Sequence, residues 1–174
     1  MQNTERQRNL ISKIIDKELK MFQAVKNRGE VASCQKQPAA FRLMRFMTHA
    51  VQTVEFLESY LNDLNLAIAD GRNFMTEKYA LMEGLIPPLN TEPCIDEITR
   101  IECAWQEEMD KKYPELVQKE NNNIFWLYLR SELQTLSSQT LNLYYNNINQ
   151  ALKEGRNLVV ERYEILMNNL DTKK

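Results

Sequence analysis

The feature that most constrains this chain is that it matches itself. Asp70-Gly71-Arg72-Asn73-Phe74-Met75-Thr76-Glu77-Lys78-Tyr79 returns 84 positions later as Glu154-Gly155-Arg156-Asn157-Leu158-Val159-Val160-Glu161-Arg162-Tyr163. The same shift carries Ile14 onto Ile98, Glu18 onto Glu102, Phe41 onto Phe125, Leu57 onto Leu141, Tyr60 onto Tyr144 and Ala67 onto Ala151 without a gap. A period of this length calls for two copies of one unit, each covering the apolar face of the other.

The units read as helical. Only four glycines and five prolines occur in 174 residues, and no stretch alternates as a strand would. Ile11, Ile14, Glu18, Met21, Phe22 and Val25 recur at steps of three and four, which predicts a first helix over about 8–27. Pro38 suits the start of a second helix. The stripe Met47, Ala50, Val54, Leu57, Leu61, Leu64, Ile68 predicts one long helix over about 39–70, ended by Gly71. Asn73 is placed to cap a third, over about 74–84. After a linker at about 84–93, marked by Pro87, Pro88 and Pro93, the scheme repeats. Helices are expected at about 95–112, 124–154 and 158–170. The expectation is an all-α bundle, one domain over 1–174, built from two tandem three-helix repeats (about 8–86 and 95–170) related by an approximate two-fold axis.

Composition narrows the class. At 43% hydrophobic and 26% charged residues the chain reads as an ordinary globular protein. A net charge of −2 with dispersed Lys and Arg leaves no footprint for nucleic acid. No apolar run is long enough to span a bilayer, and the first residues lack the apolar region of a signal peptide. Three cysteines without a CxxC make no disulfide framework and fit a reducing compartment. The expected location is the cytoplasm, with a small molecule or a protein as the remaining kinds of partner.

The self-match also filters residues. Gly71/Gly155 and Asn73/Asn157 have capping duties, and Leu57/Leu141 and Phe41/Phe125 read as core. Burial alone does not explain Glu18/Glu102 and Glu77/Glu161, which stand within apolar stripes. A bare carboxylate in a core costs several kcal/mol, so each needs a partner. Two-fold symmetry can bring all four to the seam between the units. Glu18, Glu77, Glu102 and Glu161 are therefore candidate ligands for a divalent metal such as iron, manganese or magnesium, which would assist hydrolytic or oxidative chemistry. The alternative is a non-catalytic ligand- or protein-binding module in which arginines hold the glutamates as structural ion pairs. Arg72 and Arg156 recur five residues before Glu77 and Glu161. A ferritin-like di-iron centre needs Glu-x-x-His, and none is present; the only histidine, His49, matches Leu133. His49 could add one asymmetric ligand. Cys34, in the loop Ala32-Ser33-Cys34-Gln35, is a candidate nucleophile if a base lies beside it. Glu55, Glu58 and Asp63 read as a solvated acidic face.

The segments Ile14-Ile15-Asp16-Lys17-Glu18, Met21-Phe22, Ala32-Ser33-Cys34-Gln35, Leu57-Glu58-Ser59-Tyr60 and the Gly71–Ala80 box together resemble an uncharacterised bacterial family, DUF4125. Trp105-Gln106-Glu107 and Gly155-Arg156-Asn157 in the second half are similar to it too. The resemblance covers most of the chain and implies no activity, but it draws attention to Glu18, Cys34 and Glu77.

Overall fold

A computed structural model describes residues 3–26, 37–117 and 122–171. Among these residues there are eight α-helices and no strand: α1 (Glu5–Gln23), α2 (Pro38–Ala50), α3 (Val54–Ala69), α4 (Phe74–Met82), α5 (Cys94–Lys112), α6 (Asn122–Leu133), α7 (Ser138–Lys153) and α8 (Leu158–Asp171). A single 3₁₀ turn, Pro114–Leu116, follows α5. The all-helical expectation holds. None of the helices is long and apolar enough to cross a membrane.

The count differs from the expected six because both long helices are broken. The predicted helix over 39–70 is α2 and α3, and that over 124–154 is α6 and α7. Local chemistry makes each break. Thr53 Oγ1 accepts from Phe56 N at 3.2 Å and Ser137 Oγ from Thr140 N at 3.2 Å, so each restarts a helix as its N-cap. The opposite half then ties each break down. Asn147 Nδ2 donates to Val51 O (3.0 Å) and Gln52 Oε1 (3.1 Å). Asp63 Oδ2 accepts from Ser137 N (3.0 Å). Asp63 is therefore buried, not part of a solvated acidic face; Glu55 and Glu58 are exposed. The break also turns α3, so that Ile68, expected on the core stripe, is 49% exposed.

The helix ends follow the sequence closely. Pro38 occupies the first turn of α2. Gly71 and Gly155 adopt φ of +71° and +66°, the left-handed conformation that ends a helix. Arg72 N and Arg156 N close back onto Ala67 O (2.8 Å) and Ala151 O (2.9 Å). Asn73 Oδ1 accepts from Met75 N and Thr76 N, both at 3.0 Å, and Asn157 Oδ1 from Val160 N at 3.0 Å. The same two asparagines have a second duty. Asn73 Nδ2 donates to Met21 O (2.9 Å) and Asn157 Nδ2 to Trp105 O (3.1 Å), strapping α4 to α1 and α8 to α5.

The core is organised around α1 and α5. The first packs on α2, α3 and α4, the second on α6, α7 and α8. The halves join through α2 on α8, α4 on α6, and α3 on α7. Ile14 and Ile98, both at 0% exposure, sit at the centre. Full burial of such a side chain contributes roughly 1.5–3 kcal/mol. Glu18 and Glu102 lie one turn further along the same stripes.

Candidate functional site

Glu18 and Glu102 are each 0% exposed, so both carboxylates must be satisfied inside the protein. Glu18 accepts from Arg45 through Nε (3.0 Å) and Nη2 (2.7 Å), and from the Tyr60 hydroxyl (2.7 Å). His49 Nε2 lies 3.1 Å from both of its oxygens. Glu102 accepts from Arg162 through Nη1 (2.7 Å) and Nη2 (2.9 Å), and from the Tyr144 hydroxyl. The arginine alternative therefore describes both residues, although with arginines other than those the sequence singled out.

The cluster around Glu18 extends across the two halves. Arg45 Nη2 also donates to Glu132 Oε1 of α6 at 2.6 Å. Lys78 of α4, itself buried, donates from Nζ to the Tyr128 hydroxyl (2.7 Å), lies 4.1 Å from the centre of that ring, and stands 3.7 Å from Glu132 Oε2. Burial opposes ionisation of Glu18, but Arg45 and His49 outweigh it and hold the carboxyl well below the usual range. For Glu132 burial is likewise outweighed, by Arg45 and Lys78, and its pKa falls to about 2. Burial and the adjacent Glu18 push the Tyr60 hydroxyl well up. Burial and Glu102 do the same to Tyr144. Both tyrosines stay protonated and act as donors.

Glu77 and Glu161 lie elsewhere. Each is only half-buried, in the first turn of its helix, gripped bidentately by the arginine five residues before it. Arg72 Nε and Nη2 reach Glu77 at 2.8 and 2.9 Å, and Arg156 Nε and Nη2 reach Glu161 at 2.8 and 2.9 Å. The expected convergence of four glutamates at the seam is thus corrected: helix ends hold one pair near solvent, while α1 and α5 bury the other. Among the described residues no group of three or more His, Cys, Asp or Glu side chains is arranged to hold a metal ion.

His49, expected as a lone or single-ligand residue, is buried in the Glu18 cluster. Cys34 lies outside the described residues. Cys94 and Cys103 are free and half-buried, and burial raises both thiols, the reverse of what activates a nucleophile.

The two buried clusters border one cavity of about 250 Å³. Arg45, His49 and Tyr60 line it from one cluster, and Glu102, Tyr144 and Arg162 from the other. Phe56, Phe125, Tyr128, Leu133 and Tyr163 supply apolar and aromatic wall. Three buried side-chain atoms among the described residues have no hydrogen-bond partner: His49 Nδ1, Gln106 Oε1 and Arg162 Nε. All three residues line this cavity.

Sequence reasoning missed Arg45, Lys78, Gln106, Tyr128, Glu132 and Arg162. Two signals were present. The residue after Glu77 and after Glu161, Lys78 and Arg162, is a cation in both copies. Arg45 and His49 are four apart on one helical face.

The model of the family described as "Protein of unknown function (DUF4125)" matches residues 8–173. The chain belongs to the DUF4125 family. No curated protein and no solved structure matches it.

Proposed function

We propose that this protein is a small-molecule-binding helical module, with the cavity between the Glu18 and Glu102 clusters as its site and the ion pairs as its rigid frame. One observation carries the reading. The unpartnered buried atoms of His49, Gln106 and Arg162 all belong to side chains around that one cavity. A buried polar group without a partner costs about 1–3 kcal/mol. Three such side chains around one cavity suit a polar-faced ligand, and the aromatic wall suits its apolar remainder.

The halves are proposed to be tandem repeats of a four-helix unit in one domain. Supporting this, α3 and α7 have the same bounds after the 84-residue shift. The straps Asn73–Met21 and Asn157–Trp105 correspond under it as well. The cavity then lies on the axis between the copies, where a site shared by both is expected.

The test is a ligand-observed NMR screen of small aromatic fragments against the full chain and Leu129→Trp. Leu129 is partly buried and lines the cavity, so the indole would occupy it. Hits that bind the native protein and are lost in the variant are expected. Hits indifferent to the substitution, or none, would sink the proposal.

A divalent metal held by Glu18, Glu77, Glu102 and Glu161 is the other reading the sequence raised. It would have to displace an arginine from every carboxylate. Elemental mass spectrometry of protein purified without chelators, beside Glu18→Gln and Glu161→Gln, decides it. One or two equivalents of metal lost in both variants would install that reading in place of ours.

A further inference from the structure

Resting on the cavity reading, we infer that the guest is amphipathic: an oxygen acceptor, carbonyl or carboxylate, docks on Arg45 of α2, and an apolar body lies against the leucines of α6.

The head group follows from the guanidinium of Arg45, which is 5% exposed. Nε and Nη2 are spent on Glu18 at 3.0 and 2.7 Å, and Nη2 again on Glu132 at 2.6 Å. Nη1 makes no hydrogen bond within the described protein, yet it is not among the unpartnered atoms sealed from water. It is a free donor that a small molecule can reach on a side chain otherwise enclosed, and the space that Arg45 lines is this cavity. A guanidinium stays charged at any working pH and has no acceptor, so the group it receives must accept. That requirement is independent of the charge on His49. A carbonyl or carboxylate oxygen meets it. An ammonium head would leave Nη1 unpaired and add a like charge beside it.

The body follows from how the two halves differ. Shifted by 84 residues, α2 falls on 122–134, which is the span of α6, Asn122–Leu133. The cavity is therefore walled by two matching helices and by the turns that follow them. In three matched pairs both members line it: Arg45/Leu129, His49/Leu133 and Gln52/Leu136. In each pair the member from the first half is polar and its mate is a leucine. The polar side chains that α6 does bring to the wall, Tyr128 and Glu132, are already engaged, by Lys78 and by Arg45. One side of the cavity thus offers hydrocarbon, which gains by excluding water from an apolar body. About 250 Å³ lies just under the roughly 300–1,000 Å³ of sites for drug-sized ligands, which limits that body to about a fused bicycle.

Four naphthalenes test this. They share a ring and carry at the 2-position an acetyl, a carboxylate, an isopropenyl or an aminomethyl group. Isopropenyl has the shape of acetyl without its acceptor, and aminomethyl is a cationic donor. Each is titrated calorimetrically into the full chain. The tighter of the ketone and the carboxylate is expected to bind at least about tenfold more strongly than the isopropenyl and aminomethyl compounds, the scale of one hydrogen bond to a charged group. Which of the two it is tells a neutral head from an anionic one. A smaller margin overturns the inference. With that tighter ligand bound to the isotope-labelled native chain, ring protons beside the head are expected to show intermolecular NOEs to Arg45, and those of the far ring to the methyls of Leu129 and Leu133. The reverse pattern, or none to Arg45, overturns it as well. Failure of all four while other fragments bind in the Leu129→Trp-sensitive manner overturns the inference and leaves the cavity reading standing. Failure of every fragment overturns both.

Discussion

Arg45→Met is the substitution that separates an ion-pair frame from incidental contacts. Arg45 holds buried Glu18 through two nitrogens and reaches Glu132 at 2.6 Å. Removing it leaves Glu18 with His49 and Tyr60, and Glu132 with Lys78. Removing one partner of a buried pair costs about 3–5 kcal/mol. A chain of this size loses about 2–4 °C of Tm per kcal/mol, so a fall of roughly 6–20 °C is expected at pH 7. The pH dependence is the sharper readout. Glu132, held at about 2 against 4.5, contributes about 3 kcal/mol. A carboxyl with a lowered folded pKa makes the folded state bind fewer protons than the unfolded one. Its stabilisation is therefore full above about pH 4.5 and is lost as pH falls towards 2. Glu18 follows the same sign. Arg45→Met removes the leading cause of lowering at both carboxyls while burial remains. Urea melts at pH 7 and pH 3 should therefore show a wide gap between native and variant that narrows in acid. Adding Glu18→Gln should recover part of the loss at pH 7 by removing the stranded charge. A loss below about 1 kcal/mol at pH 7, or a gap of equal width at pH 3, would refute the frame.

Two further outcomes follow from the same geometry. Lys78→Met should cost less than Arg162→Met in chemical denaturation, because Arg45 still holds Glu132 whereas Glu102 would keep only Tyr144; equal costs would mean the two clusters are not built as described. Asn73→Ala and Asn157→Ala should each cost about 1–2 kcal/mol, toward the upper end for an N-cap since each also removes a strap to the backbone of α1 or α5. Losses within about 0.5 kcal/mol by the same melts would contradict the double duty.

Helix identity was legible because periodicity, Gly71, Asn73, Pro38 and the 84-residue shift are local signals. The breaks at Thr53 and Ser137 were not. The apolar stripe Met47, Ala50, Val54, Leu57 runs straight through the first, and at both the local cap is joined by a contact no local pattern shows, Asn147 or Asp63 reaching over from the opposite half. The arginine grip on Glu77 and Glu161 was legible from the five-residue spacing. The grip on Glu18 and Glu102 was not, since Arg45 is 27 residues from Glu18 and Arg162 is 60 from Glu102. Gln106 carried no signal, because an amide next to a core tryptophan is unremarkable until its oxygen is found buried without a partner.

The positions that differ between the two halves are as telling as those that agree. Glu18/Glu102 and Tyr60/Tyr144 agree, and each glutamate is paired with its own tyrosine. Around them Arg45 stands against Leu129, His49 against Leu133, Thr48 against Glu132, and Lys78 against Arg162. A frame needed only for stability could be met identically twice, as the Asn straps are. Here one half meets its glutamate with the arginine of α8. The other half uses Arg45 and His49 of α2, and its Lys78 turns to Tyr128 and Glu132. The result is a cavity with Arg45 and His49 facing from α2, and Leu129 and Leu133 from α6. A symmetric cavity would present every polar group twice and could not give a small guest one orientation. The cavity proposed as the site is not symmetric, because His49 and Gln106, which line it, stand against Leu133 and Phe22 in the other copy.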